Sequence, residues 1–370
     1  FTNLNAVLFQ GQANVAAAAL FAKKNQKPDD EEIAHITINR TKAAKDRIYF
    51  EIDHYDYHWV SNEVACNSPY VWKANLLGGG RVFDLINRLI KLPTLKDFLL
   101  EKKAKNGWDF GDGYIKGKPD NELTQEDFKL KKGGYREAKY LTGLLGFNPE
   151  DFTEEGITKK NIIKDKYFQW PRKEILFKSP LLLIKKNLGR VTIPTHLSNQ
   201  DIGYKNEVIG IHAPSNQVKE LESLANSISS NSANRLFLFC TSARAGISRS
   251  KSTLKQEDIF SLPLIINNDG NLALGYYERI ISEDAMKFLI EHLSKGENSQ
   301  ISKEASQKEL KEFGKVLCKV LNSIYQEGEK KFRLNRIIEA PSFYACEYEL
   351  SKKEISSPIY DDSEKAEVKL

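Results

Sequence analysis

Residues 159–190 carry ten positive charges against two negative ones. The cations are Lys159, Lys160, Lys164, Lys166, Arg172, Lys173, Lys178, Lys185, Lys186 and Arg190, with only Asp165 and Glu174 opposing them. Tyr167, Phe168, Trp170 and Phe177 are interleaved. A nucleic-acid backbone selects for this combination: point charges and guanidinium forks for phosphates, flat rings for sugars and bases. A second segment, residues 235–255, contains no acid and sets Arg244, Arg249 and Lys251 among small turn-forming residues, Ser242, Ser248 and Ser250 included. An arginine in such a loop suits bidentate reading of guanine or close approach to a phosphate. The candidate DNA-binding residues are therefore Lys178, Lys185, Lys186, Arg190, Arg244, Ser248, Arg249 and Lys251. One charge run alone more often marks a solvated loop. Two of them, in a chain whose net charge is only +5, mean that the positive charge is concentrated rather than spread.

Other chemistry finds little support. Cys66, Cys240, Cys318 and Cys346 are far apart and form no CxxC pair, so neither a disulfide framework nor a zinc knuckle is expected, and a reducing cytoplasm fits. His54 and His58 are four apart in an aromatic stretch without a HExxH pattern, and read as a domain junction rather than a metal site. Gly78-Gly79-Gly80-Arg81 precedes a helix but lacks the lysine and hydroxyl of a phosphate loop; it reads as a turn that lets the helix pack closely. There is no nucleophile elbow, no Asn/Asp-Pro-Pro-aromatic element to grip an extruded adenine, and no FxGxG for a cofactor. No catalytic, metal or cofactor residue is expected.

The elements that must position the basic segments follow from periodicity. The chain has 370 residues, 41% of them hydrophobic, enough for two or three domains with real cores. No stretch approaches the ~20 apolar residues needed to span a bilayer. Two apolar runs, at 7–9 and 15–22, predict a hairpin on a sheet edge, followed by a strand at 33–38 with Ala34, Ile36 and Ile38 on one face. Val82, Leu85, Ile86, Leu89 and Ile90 have helical spacing, and Thr94 caps a second helix with Leu95, Phe98 and Leu99 inward. Residues 121–138 are charged and show little period. Residues 181–184, 191–193 and 208–211 read as strands, and residues 216–229, 283–293 and 303–325 as amphipathic helices.

Three stretches carry a family resemblance. The first runs from Phe1-Thr2-Asn3-Leu4 through Leu8-Phe9 to Ala17-Ala18-Ala19-Leu20-Phe21-Ala22. The second is Trp72-Lys73-Ala74-Asn75-Leu76-Leu77-Gly78-Gly79, Phe83-Asp84-Leu85-Ile86, Leu95-Lys96-Asp97-Phe98-Leu99 and Gly111-Asp112-Gly113-Tyr114-Ile115-Lys116-Gly117. The third is Phe177-Lys178-Ser179-Pro180-Leu181-Leu182-Leu183-Ile184-Lys185, Thr241-Ser242-Ala243-Arg244-Ala245-Gly246-Ile247-Ser248-Arg249 and Asp258-Ile259-Phe260-Ser261-Leu262-Pro263. In this order they resemble the C-terminal part of bacterial DNA adenine-N6 methyltransferases of restriction-modification systems, especially large fused Type II enzymes. The resemblance implies an α+β fold: trailing strands of a methyltransferase-like domain at 1–55, a β-rich DNA target-recognition domain with flanking helices at 56–275, a helical segment at 276–350 and a polar tail at 351–370. It implies sequence-specific recognition of double-stranded DNA beside an upstream methyltransferase domain that holds S-adenosylmethionine, with no membrane partner. Because the catalytic and cofactor motifs are missing, neither methyl transfer nor cofactor binding carries over to this chain. The alternative is a protein-interaction subunit that docks a nuclease or methyltransferase partner through its C-terminal helices.

Overall fold

A computed structural model describes residues 2–4, 17–21, 32–38, 56–130, 132–189, 192–245, 254–264, 274–295, 298, 306–325, 328–340 and 343–362. The chain is mixed α and β with several small sheets and forms two compact units, residues 1–273 with 281–296, and residues 274–280 with 297–370. None of the described helices is long and apolar enough to cross a membrane.

The first unit opens with a four-stranded sheet of order β2-β1-β3-β4, from β1 (Thr2–Leu4), β2 (Ala17–Ala19), β3 (Glu32–Ile38) and β4 (Tyr57–Ser61). Thr2–Leu4 pairs antiparallel with Ala17–Ala19; the expected hairpin takes its first strand from the run at 7–9, which lies outside the described residues. Strand β3 buries its polar face rather than its aliphatic one: His35 and Thr37 are inside, while Trp59 on β4, opposite Ala34, is 65% exposed. His35 Nδ1 and Thr37 Oγ1 both find polar partners. His35 Nδ1 lies 3.1 Å from the Asn75 side-chain amide, and its ring meets Trp72 edge-on at 5.1 Å. Thr37 Oγ1 is 3.3 Å from His58 Nε2. Burial, with His58 nearby, pushes the His35 imidazole down to about 4.

Helices α1 (Asn62–Asn67), α2 (Val71–Asn75), α3 (Gly80–Leu89) and α4 (Leu95–Asn106) follow. The α3 stripe is as its spacing predicts at Val82, Leu85, Ile86 and Leu89, which are buried, whereas Ile90 at the C-cap is exposed. Gly79 caps it at φ 76°, and a Cβ there would come within 3.2 Å of His58 Nδ1, so the glycine serves close packing. Thr94 caps α4 through a reciprocal pair with Asp97.

The centre of the unit is an antiparallel sheet of order β13-β12-β15-β5. Strand β5 (Asp109–Asp112) leads through the short helix α5 (Gln125–Lys129) to two-residue strands β6 (Arg136–Glu137), β7 (Leu145–Gly146), β8 (Phe152–Thr153), β9 (Gly156–Ile157), β10 (Asn161–Ile162) and β11 (Tyr167–Phe168). Strands β12 (Leu181–Lys185), β13 (Thr195–Ser198), β14 (Ile202–Gly203) and β15 (Val208–His212) complete the set. Leu181 and Leu183 of β12 join Phe152, Phe168, Phe177 and Tyr204 in the main core, and helix α6 (Val218–Ser229) packs along β12 and β13. Helix α7 (Ser232–Thr241) is buried along nearly its whole length, and α8 (Gln256–Phe260) sits beside α4.

In the second unit, α10 (Gln307–Ile324) lies on a three-stranded sheet, β17-β16-β18, formed by β16 (Lys331–Ala340), β17 (Phe343–Ser351) and β18 (Ile359–Asp362). Helix α9 (Tyr276–Lys295) contributes its first residues to this unit and the remainder to the first unit. Helices at 283–293 and 303–325 were expected, but residues 331–351 form a hairpin where the reading extends helix to 350, and 359–362 form a strand within the expected polar tail. Asn322 secures it, its amide oxygen accepting from the Phe332 N–H at 2.7 Å and its Nδ2 donating to the Phe332 carbonyl at 2.9 Å.

Close approach at one glycine ties the central sheet to the small strands. Gly113 N–H donates to the Val208 carbonyl at 3.1 Å, and a Cβ at Gly113 would lie 2.1 Å from the Tyr204 carbonyl oxygen and 2.4 Å from that of Lys205. Backbone cannot move aside as a side chain can. Gly113→Ala should therefore lower folding stability by about 2 kcal/mol or more, seen as a reduced urea midpoint; an unchanged midpoint would contradict the packing described.

Candidate nucleic-acid interface

Central strand β12 decides the fate of three predicted lysines. Lys186, just past the strand, is 7% exposed, and its ammonium lies 2.7 Å from Asp112 Oδ1. The Lys185 ammonium donates to the Phe152 carbonyl at 2.5 Å, and burial lowers its pKa. Lys178 bridges Asp201 at 3.1 Å and Glu174 at 3.2 Å, and these bonds, Asp201 foremost, raise its pKa. Each cation already has an internal partner. Arg244 is exposed in the turn after α7, where its N–H donates to Ser242 Oγ at 3.1 Å. Arg190, Ser248, Arg249 and Lys251 lie outside the described residues. Of the predicted set, four residues are thus described, and the three lysines among them are engaged within the fold.

Two cations, the half-buried Lys73 and the buried Arg235, hold the turns that lead into those segments. Lys73 donates to the carbonyls of Ser242 at 2.6 Å and Ala245 at 2.8 Å, closing the C-terminus of α7, and burial lowers its pKa to about 8. Arg235 Nε donates to the Gly189 carbonyl at 3.4 Å, and burial brings its guanidinium down to about 10.

The free positive charge lies elsewhere. Residues 129–139 hold five positive charges against Glu137 alone. The two-residue ladder β6–β11 joins this segment to the basic run, with Arg136 opposite Phe168, Glu137 opposite Tyr167, and the Ala138 N–H donating to the Lys166 carbonyl at 3.1 Å, while β7–β10 pairs residues 145–146 with 161–162. Lys129, Lys132, Arg136, Lys139, Lys159, Lys160, Lys164 and Lys166 are all exposed, and none forms an ion pair with a described residue. Two neighbouring lysines pair with the nearest acids instead. Lys116 binds Asp120 and reaches Asp165 at 3.4 Å, and Lys118 lies 3.0 Å from Asp127. The outer eight are left facing solvent. The sequence signal for residues 129–139 was the glycine pair Gly133-Gly134 set between Lys132 and Tyr135-Arg136, a turn that presents its flanking cations.

Exposed rings lie on the same segments. Phe128 is 42% exposed and meets Tyr167 edge-on at 5.1 Å; Trp170 is 37% exposed. Among the described residues no group of three His, Cys, Asp or Glu side chains could hold a metal ion. The chain matches no protein-family model, and no curated protein is significantly similar to it.

The two classes of lysine separate experimentally. Lys186→Ala strands the Asp112 carboxylate in the interior and should cost about 3 kcal/mol of stability. Lys132→Ala, at an exposed turn, should change stability by less than about 0.5 kcal/mol. Equal denaturation midpoints for the two variants would contradict the assignment of Lys186 to the core.

Proposed function

We propose that this chain binds double-stranded DNA through the cationic surface of residues 129–139 and 159–166, as the target-recognition portion of an adenine-N6 DNA methyltransferase of the restriction-modification kind. The observation that carries the reading is the convergence of eight exposed cations, unpaired among the described residues, on two segments that meet at the Ala138–Lys166 backbone bond beside the β6–β11 ladder. Lysines on short, exposed turns suit phosphate positioning, which fixes register without reading sequence. Base reading falls to Arg244 and the loop that follows it, with Ser248, Arg249 and Lys251. Methyl transfer and S-adenosylmethionine belong to a methyltransferase domain that this region serves, where the target base is flipped.

A second reading, a protein-interaction subunit, draws on α10, where Phe313 is 61% and Ile324 56% exposed. Apolar helix docking is nearly independent of salt. Phosphate binding is not, because each neutralised phosphate releases counterions. If about six of the cations engage phosphates, the logarithm of affinity should fall with that of salt concentration at a slope near −5. Anisotropy titrations of a labelled 30-base-pair duplex at several salt concentrations measure this. Lys132→Ala and Lys139→Ala should each reduce the slope by about one, and Lys178→Ala should leave it unchanged. Absent or salt-independent binding would refute the proposal.

A further inference from the structure

Trp170 is held more firmly than an exposed ring requires. Its N–H donates to the Ile115 carbonyl at 3.1 Å and its carbonyl accepts from the Ile115 N–H at 2.9 Å, so the backbone is clamped on both sides. Pro171 follows, and then Arg172 at φ 70°, the one non-glycine residue with positive φ among those described. That strained conformation is fixed by two bonds: the Tyr140 hydroxyl donates to the Arg172 carbonyl, and Arg172 Nε donates to the Gly113 carbonyl at 3.1 Å. Strain of this kind persists where the surroundings over-determine it, and it collects at binding sites. A second constraint acts from the other side. A Cβ at Gly133 would lie 3.7 Å from the Trp170 ring, and Gly133 sits at φ 76°, so the turn carrying Lys132 passes directly beside the indole. The exposed Phe128 and the half-buried Tyr167 form a second pair of rings beside the same two segments. Single exposed aromatics are ordinary. Clamped rings set among Lys129, Lys132 and Lys166 are a stacking surface within reach of phosphate-binding cations.

We propose that Trp170, with the Phe128–Tyr167 pair as a second station, is a stacking platform for an unpaired nucleobase whose flanking phosphates are held by Lys132 and its neighbours. The proposal rests on the DNA-binding reading and adds to it a preference for DNA that carries a base outside the stack. A perfect duplex shows the surface only phosphates and sugars. An extruded or bulged nucleotide shows it a flat face as well, and stacking is sequence-tolerant because every base has one. An acidic peptide would satisfy the lysines but leave the rings bare.

The experiment compares a perfect 30-base-pair duplex with the same duplex carrying one bulged 2-aminopurine, read by affinity and by quenching of the probe. The whole chain should bind the bulged duplex about tenfold tighter and quench its fluorescence. Trp170→Ala should lose the preference and the quenching while keeping perfect-duplex affinity within twofold. Trp170→Phe should keep part of both, and Phe128→Ala, away from the clamp, should weaken the preference if Trp170→Ala proves unstable. Perfect-duplex binding with no bulge preference, a preference that survives Trp170→Ala and Phe128→Ala, or polyglutamate competing as well as bulged DNA would overturn the platform while leaving duplex binding in place. Failure to bind either duplex would overturn both readings.

Discussion

Strand β12 buries four of its five residues, Leu181, Leu182, Leu183 and Ile184, on both faces of the central sheet. A strand covered on both sides cannot carry an uncompensated charge, because the desolvation of a bare ammonium exceeds what packing returns. The lysines at and beyond its end are therefore tied down. Lys185 takes a backbone carbonyl from β8, and Lys186 takes Asp112 from β5, two strands away in the sheet order. The same demand shapes the periphery. The half-buried Lys116 meets Asp120 and Asp165, and the exposed Lys118 meets Asp127, so three acids of the region are paired within the fold. What faces water is a set of cations with few acids among them. The basic surface follows from how the core disposes of its charges.

Charge partition also sorts residues by what they can do. A paired, desolvated lysine contributes to folding and offers a ligand little, since its removal leaves a stranded acid. An exposed lysine contributes almost nothing to folding and keeps its full charge for a polyanion. Lys178 lies between these cases, exposed in part but bridging two carboxylates. Lys73 and Arg235 belong to the first class, yet they act on the second: each fixes the backbone of a turn that delivers further cations. Stability and binding are thereby assigned to neighbouring residues of one type.

How much of this was legible in the sequence depended on the length of each signal. The α3 stripe and the Thr94–Asp97 cap could be read because each rests on a local spacing that packing preserves. The β12 run could be read as a strand for the same reason. Ladders of two residues, such as β6–β11 and β7–β10, are too short to show a period, and β6–β11 is what joins residues 129–139 to the basic run. The hairpin of β16 and β17 was concealed twice. A bulge between Leu334 and Arg336 shifts the alternation so that Leu334 and Ile337, three apart, both face the core, and the outer face is charged like a solvated helix. Basic character at 159–190 was visible; which of its lysines are buried was not, because Lys186 meets Asp112 across 74 positions of chain. Lys73 was beyond reach altogether, its acceptors lying about 170 residues downstream.

The central claim is that DNA meets residues 128–139 and 159–173, and not the lysines that lead into and out of β12. Photo-crosslinking to a duplex substituted with 5-bromouracil, followed by peptide mapping, locates the contact directly. The account predicts crosslinks concentrated in those two segments, reduced together by added salt, with none from residues 178–189. Crosslinks confined to residues 306–362, or concentrated at 178–189 while the two segments stay unmodified, would contradict it.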